Sequence, residues 1–171
     1  MLLAILPVKI SWSNQISLRF SEMPVSSSIS TVAFHFLESG LTLADRTRLK
    51  HFITSLLKKE KKKLANIQYI FCSDPYLLDI NRQYLQHDYY TDIITFDLSE
   101  PGQAINAEIY ISVDRVRDNA RQFNTSIKNE LHRVIFHGAL HLCGYGDKKN
   151  AEEVLMRKME DKYLKLYFST K

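Results

Sequence analysis

Cysteine is scarce in this chain: two residues, Cys72 and Cys143, both inside apolar segments, out of 171. A secreted framework stapled by disulfides is therefore set aside, and a reducing cytoplasm is the simpler setting. Long hydrophobic runs are missing too. Nothing approaches the ~20 consecutive apolar residues of a membrane span. The apolar start, Met1 to Pro7, is soon interrupted by Lys9. It has neither a basic leading region nor a clear small-residue cleavage site, so it does not read as a signal peptide. No internal repeat is present. Charge of one sign does not dominate either. The formal net charge of +4 is mildly basic, compatible with a polyanionic partner without requiring one.

What is present suits one ordinary globular domain. Hydrophobic residues make up 45% and charged residues 25%, and a chain this long can bury about 70% of its unfolded surface without covalent staples. Residues 1–30 read as an N-terminal extension or the product of a misplaced start codon. Met23, followed by Pro-Val-Ser-Ser-Ser, is the alternative start, and the serine-rich stretch Ser26–Ser30 reads as a linker. Residues 31–171 are taken as the folded domain.

Along that domain, Val32–Phe36 reads as a first strand. Leu43–Lys58 has helical spacing, with Thr42 as a candidate N-cap. The run Lys58–Lys63 that follows suits the C-terminal end of a helix dipole and reads as a solvated helix end before it reads as an RNA patch. Ile67–Cys72 is a strand. Ser73-Asp74-Pro75 opens a helix that runs to about Leu85. Ile93–Leu98 and Ala107–Ile111 are strands separated by a turn at Pro101-Gly102. Ser112 caps a helix over Val113–Phe123, Thr125 or Ser126 caps the next, and Asn150 opens a last helix toward Tyr167. Strands and helices do not alternate regularly. The expected class is α+β: one small mixed sheet packed with helices.

The chemistry concentrates in His137-Gly-Ala-Leu-His141-Leu-Cys-Gly-Tyr-Gly-Asp147. Histidines four apart on a helix share a face and can reach one metal ion. Gly144 can end the helix in the left-handed conformation, and the loop can bring Asp147 back to the same face. Two imidazoles and a carboxylate leave a fourth position for water, the arrangement of a catalytic site. Against this stands the plain reading of two partly buried histidines on a largely buried helix, and the residues alone leave the two about even. A zincin protease is disfavoured, because Gly138 stands where that mechanism needs its glutamate base. Cys143, two residues past His141, reads as a small buried apolar residue.

These residues carry a resemblance. The nine positions from His137 to Tyr145 fit the signature of the YbeY family of metal-dependent endoribonucleases, His-Gly-x-Leu-His-Leu-x-Gly-Tyr-Asp-His. Thr91-Asp92-Ile93-Ile94-Thr95-Phe96 resembles the family's Thr-Asp-Val-Leu-Ser-Phe, and Glu108–Ser112 resembles its Asp-Ile-x-Ile-Ser strand. The resemblance covers roughly residues 32–167. It implies a small α+β domain with the metal at one end of a groove. It also implies one Zn²⁺ or another divalent ion held by His137, His141 and Asp147, and cleavage of single-stranded RNA in 16S rRNA 3′-end maturation and ribosome quality control. The implied partners are rRNA, the small ribosomal subunit and assembly factors such as the GTPase Era, with no DNA and no membrane, in the cytoplasm. Two positions depart from the family. Its third ligand is a histidine where this chain has Asp147, with Gly146 in place of the usual aspartate; a carboxylate shifts metal choice toward harder ions. Its RNA-contacting arginine is Leu85 here, which leaves Arg82 and His87, together with Thr91 and Asp92, as candidate RNA contacts. The departures keep open a non-catalytic assembly factor that uses the fold as an rRNA-binding module.

Overall fold

A computed structural model describes residues 31–37 and 40–169. Met23, Ser26–Ser30 and the rest of residues 1–30 lie outside the described residues. Four strands form one mixed sheet: β1 (Thr31–Phe36), β2 (Leu64–Cys72), β3 (Ile93–Asp97) and β4 (Ile105–Ser112), in the order β1-β2-β4-β3. The pairs β1–β2 and β2–β4 are parallel, while β3 runs antiparallel to β4. Five helices, α1 (Arg46–Lys59), α2 (Asp74–Ile80), α3 (Val113–Gln122), α4 (Ile127–Cys143) and α5 (Asn150–Ser169), complete the α+β domain. None of them is long and apolar enough to cross a membrane.

The two faces of the sheet build two cores, because successive strand residues point to opposite sides. On one face Ile67, Tyr69, Phe71, Ile93, Ile109 and Ile111 pack against helices through Leu49, Ile53, Leu131, Ile135 and Phe136. On the other, Cys72, Ile94 and Phe96 meet Leu77, Ile80 and Leu85. Each fully buried aliphatic side chain contributes about 1.5–3 kcal/mol, so the larger face carries most of the stability.

Several boundaries differ from the sequence expectation. Helix α1 starts at Arg46 after Asp45, whose backbone is left-handed (φ 50°), and not at Thr42. Leu43 is still buried, but as part of the preceding loop. Strand β2 begins at Leu64, because its ladder with β4 continues past the apolar stretch, Leu64 pairing with Ile105. The helix after Pro75 does not continue regularly to Leu85. It passes at Asn81 into a wider π-helical turn, Asn81–Leu85, which closes at Gln86 (φ 57°). Other expectations hold. The Ser112 and Ser126 hydroxyls cap α3 and α4, accepting from the N–H groups of Arg115 and Asn129 at 3.1 Å each. Glu100 to Gln103 closes a turn with Gly102 at φ 78°, the third position of a type II turn.

Helix α4 lies unusually close to the sheet. A Cβ on Gly138 would stand 2.9 Å from Ile93 Cδ1 and 3.0 Å from Ile109 Cγ2. The glycine thus lets the helix approach β3 and β4 and fixes the height at which the neighbouring His137 sits.

Candidate metal centre

The end of α4 builds the site. Gly144 adopts φ 100° and donates its N–H to the carbonyl of His141 (2.8 Å), while Tyr145 N–H reaches the carbonyl of Leu140 (3.1 Å). This pair of bonds is a Schellman closure. It reverses the chain within a few residues and carries Asp147 back over the histidine face. Gly146 continues the reversal; a Cβ there would fall 2.7 Å from Glu152 Oε2.

His137, His141 and Asp147 come together as expected, with ligand atoms within 4.8 Å of one another. The two Nε2 atoms are 2.7 Å apart, and Asp147 Oδ2 lies 3.8 Å from one and 3.7 Å from the other. The outward bonds of the rings assign their tautomers. His141 Nδ1 is 2.8 Å from the carbonyl of Tyr145, and a carbonyl only accepts, so Nδ1 carries the proton. His137 Nδ1 likewise donates to Glu160 Oε1 at 2.7 Å. Both Nε2 lone pairs therefore converge on one point beside a carboxylate. At this separation the two nitrogens repel unless they share a proton or a metal cation, and two imidazoles beside a carboxylate suit a divalent metal. Burial, and then the neighbouring His137, pull the His141 pKa down to about 3, which keeps its Nε2 free to ligate at neutral pH.

Glu160 was not expected from the sequence. It is buried on α5. Burial alone would raise its pKa, but the hydrogen bond from His137, the Arg133 hydrogen bond (3.0 Å) and Arg157 (3.5 Å) carry it below the usual range. A carboxylate behind a ligating histidine fixes its tautomer and raises its basicity. The signal was a charge on an apolar stripe: Glu160 sits four residues after Met156 and three before Tyr163, both buried. Asp147 moves the other way. Burial raises its carboxyl, His137 and Lys148 oppose that, and Glu152 and Glu153 add to it.

The candidate RNA contacts are spread around the loop before β3. Arg82 is exposed and paired with Asp88 (2.6 Å) and Asp79 (3.7 Å). His87 stacks on Tyr89, ring centres 5.1 Å apart. The Thr91 hydroxyl turns back to the Ile93 carbonyl (3.3 Å). Asp92 is buried and accepts from Asn119 Nδ2 at 3.0 Å, so it faces inward. Leu85 is buried in the smaller core, which accounts for an apolar residue there. Cys143 is half-buried; burial, then Glu60, push its thiol up to about 12, and it stands outside the ligand cluster.

Two imidazoles and a carboxylate brought together at the end of a buried helix give this α+β protein a group that could hold a metal ion. Comparison with known proteins narrows the class. The family model described as Endoribonuclease YbeY matches residues 38–167. A Cytophaga hutchinsonii protein named Endoribonuclease YbeY is 48% identical over 80% of this chain and 95% of its own. A protein of the same name from Flavobacterium psychrophilum is 46% identical over 80% of this chain and 96% of its own. Among solved structures, the solution structure of a Thermotoga maritima protein matches with a TM-score of 0.53 and 27% identity, over 81% of this chain and 90% of that one. The chain belongs to the YbeY endoribonuclease family.

Proposed function

We propose that residues 31–171 form a single-strand-specific, metal-dependent endoribonuclease that acts in the cytoplasm on 16S rRNA 3′ ends and in ribosome quality control. The observation that carries this reading is the convergence of His137 Nε2, His141 Nε2 and Asp147 Oδ2 on one point. Two nitrogens and one oxygen suit Zn²⁺, and the carboxylate widens the choice toward harder divalent ions. A bound ion supplies charge stabilisation at phosphoryl oxygens and a more acidic water.

The chain's own residues prepare the site. Glu160 and the Tyr145 carbonyl hold the two Nδ1 protons, so that both Nε2 atoms face inward. Asp147 offsets part of the ion's charge. Arg82, His87 and Thr91 are the proposed contacts to single-stranded RNA, with Asp92 supporting that loop from beneath. The Arg82 ion pairs are exposed, and such pairs are worth little, so phosphate can displace them. The proposed partners are rRNA, the small ribosomal subunit and assembly factors such as the GTPase Era.

Elemental analysis of purified protein should find about one ion per chain, lost in Asp147→Ala. His137→Ala should abolish metal-dependent cleavage of single-stranded RNA; cleavage unchanged in a nuclease-free preparation would sink the catalytic assignment. One observation favours a second reading, a non-catalytic rRNA-binding assembly factor: Leu85 is buried where the resemblance expects an RNA-contacting arginine. Subunit binding and growth rescue retained by His137→Ala would support that alternative.

A further inference from the structure

The basic run Lys58–Lys63 contains one acid, Glu60. A glutamate at a helix end among lysines has every reason to stay in water, yet its side chain is only 17% exposed. The Tyr145 hydroxyl donates to Glu60 Oε2 (2.9 Å), and the Tyr163 hydroxyl donates to Oε1. Lys162 Nζ stands 3.9 Å from the same oxygen. Each carboxylate oxygen therefore receives one tyrosine, and the tyrosines come from different elements. Tyr145 belongs to the loop that carries Asp147, and Tyr163 to α5.

Tyr145 is the pivot of that loop. Its carbonyl accepts the Nδ1 proton of His141, and its N–H completes the closure of α4. It stands between Gly144 and Gly146, the two residues that give the backbone there most freedom. The bonds to α4 fix only its near side. Its side chain ties the loop to a distant element through the hydrogen bond to Glu60. The same helix, α5, places Glu160 behind His137 and, three residues on, Tyr163 on Glu60.

We propose that Glu60 is a positioning residue of the metal centre. Its carboxylate clamps Tyr145, and through the Tyr145 carbonyl it sets the orientation of the His141 ring and the path of the chain to Asp147. The inference rests on the metal reading of the site. Its test therefore uses both ion affinity and a property of the metal-free chain.

Tyr145→Phe and Glu60→Gln would be compared with wild type by zinc titration against a chelating dye, by hydrogen exchange at residues 143–148 without metal, and by thermal melting. Loss of an outer-shell partner typically weakens metal affinity by about 10–100-fold. Both variants should lose at least about tenfold, and their loop amides should exchange faster. The double variant should lose little more than either single one, because the two residues share one bond. Unchanged loop exchange in both variants overturns the clamp. A lower melting temperature with unchanged zinc affinity would make Glu60 a structural prop only and also overturns the proposal. A wild-type chain that takes up no zinc removes the metal reading, and the positioning role with it.

Discussion

Glu160 touches no reacting atom in the proposed site, yet it decides which nitrogen of His137 is available to a metal. Glu160→Gln keeps an acceptor for Nδ1–H but removes the negative charge that raises the ring's basicity and pairs with Arg133 and Arg157. Zinc affinity should fall about tenfold, measured by competition with a chelator, while the circular dichroism spectrum stays that of wild type. An affinity equal to wild type would mean that the tautomer is set elsewhere. At this scale the sequence was informative only where spacing along one element dictates geometry. His137 and His141 share a face because four residues make about one helical turn, and Gly144 announced the reversal that returns Asp147. Glu160 and Glu60 were not visible as site residues. Their roles depend on which side of α5 and which end of α1 meet α4, and that is a matter of tertiary packing. Asp92 shows the same limit. Its place in the Thr91–Phe96 block of the resemblance suggested an RNA contact, and only the fold shows it turned inward onto Asn119.

Helix α4 shows how one glycine can place a site and another can shape it. At Gly138 an added methyl meets Ile93 and Ile109 within 3.2 Å. Alanine gains about 1 kcal/mol of helix propensity over glycine, but overpacking costs about 1–3 kcal/mol. Gly138→Ala should therefore be destabilised by about 1 kcal/mol, read from the urea midpoint, and it should weaken zinc binding by lifting His137 from the sheet. A variant more stable than wild type would show that the two isoleucines yield. At Gly144 no atom stands within 4 Å of the added methyl, so only the backbone objects. Its φ of 100° is foreign to other residues, and Gly144→Ala should cost about 1–2 kcal/mol. The elements themselves were largely readable from periodicity and capping residues, as with Ser112, Ser126 and the turn at Gly102. What escaped was decided by neighbours. Leu43 has an apolar partner whether it sits in a helix or a loop. The early start of β2 comes from its pairing with β4. The π-helical turn over Asn81–Leu85, with Asn81 and Leu85 both buried, leaves the same face inward as a regular helix would, so periodicity did not announce it.

On the scale of the whole molecule, the packing of α1, α4 and α5 encloses an ionisable group outside the metal site. His132 is buried on α4. Its Nδ1 donates to the Lys128 carbonyl at 2.6 Å, and its Nε2 is enclosed without a hydrogen-bond partner. Tyr167 stacks on it at 4.9 Å, with Phe136 and Phe168 around the ring. The charged groups that face it are cations, Lys128 from α4 and Arg48 from α1. Burial first, and then these cations, hold its pKa below the ordinary value, against the opposing hydrogen bond to Lys128. In the unfolded chain the ring titrates near its ordinary value of about 6.5. Between that pH and the depressed folded value the unfolded state binds a proton that the folded state refuses, so stability falls as pH falls through this window. Above about pH 7 the ring is neutral in both states and contributes no pH dependence. Asp92 and Glu130 behave oppositely. Burial raises both, so their contribution is full below the unfolded carboxylate range and is lost as pH rises through their folded values. They are common to wild type and His132→Phe, and cancel in a comparison of the two. With metal chelated in both, the difference in unfolding free energy between the two proteins should be flat from pH 8 to about 7. It should then change steadily in favour of His132→Phe as pH drops toward 5, because phenylalanine keeps the aromatic packing and has no proton to refuse. Stability curves that run parallel across the whole range would show that His132 takes up its proton as readily folded as unfolded.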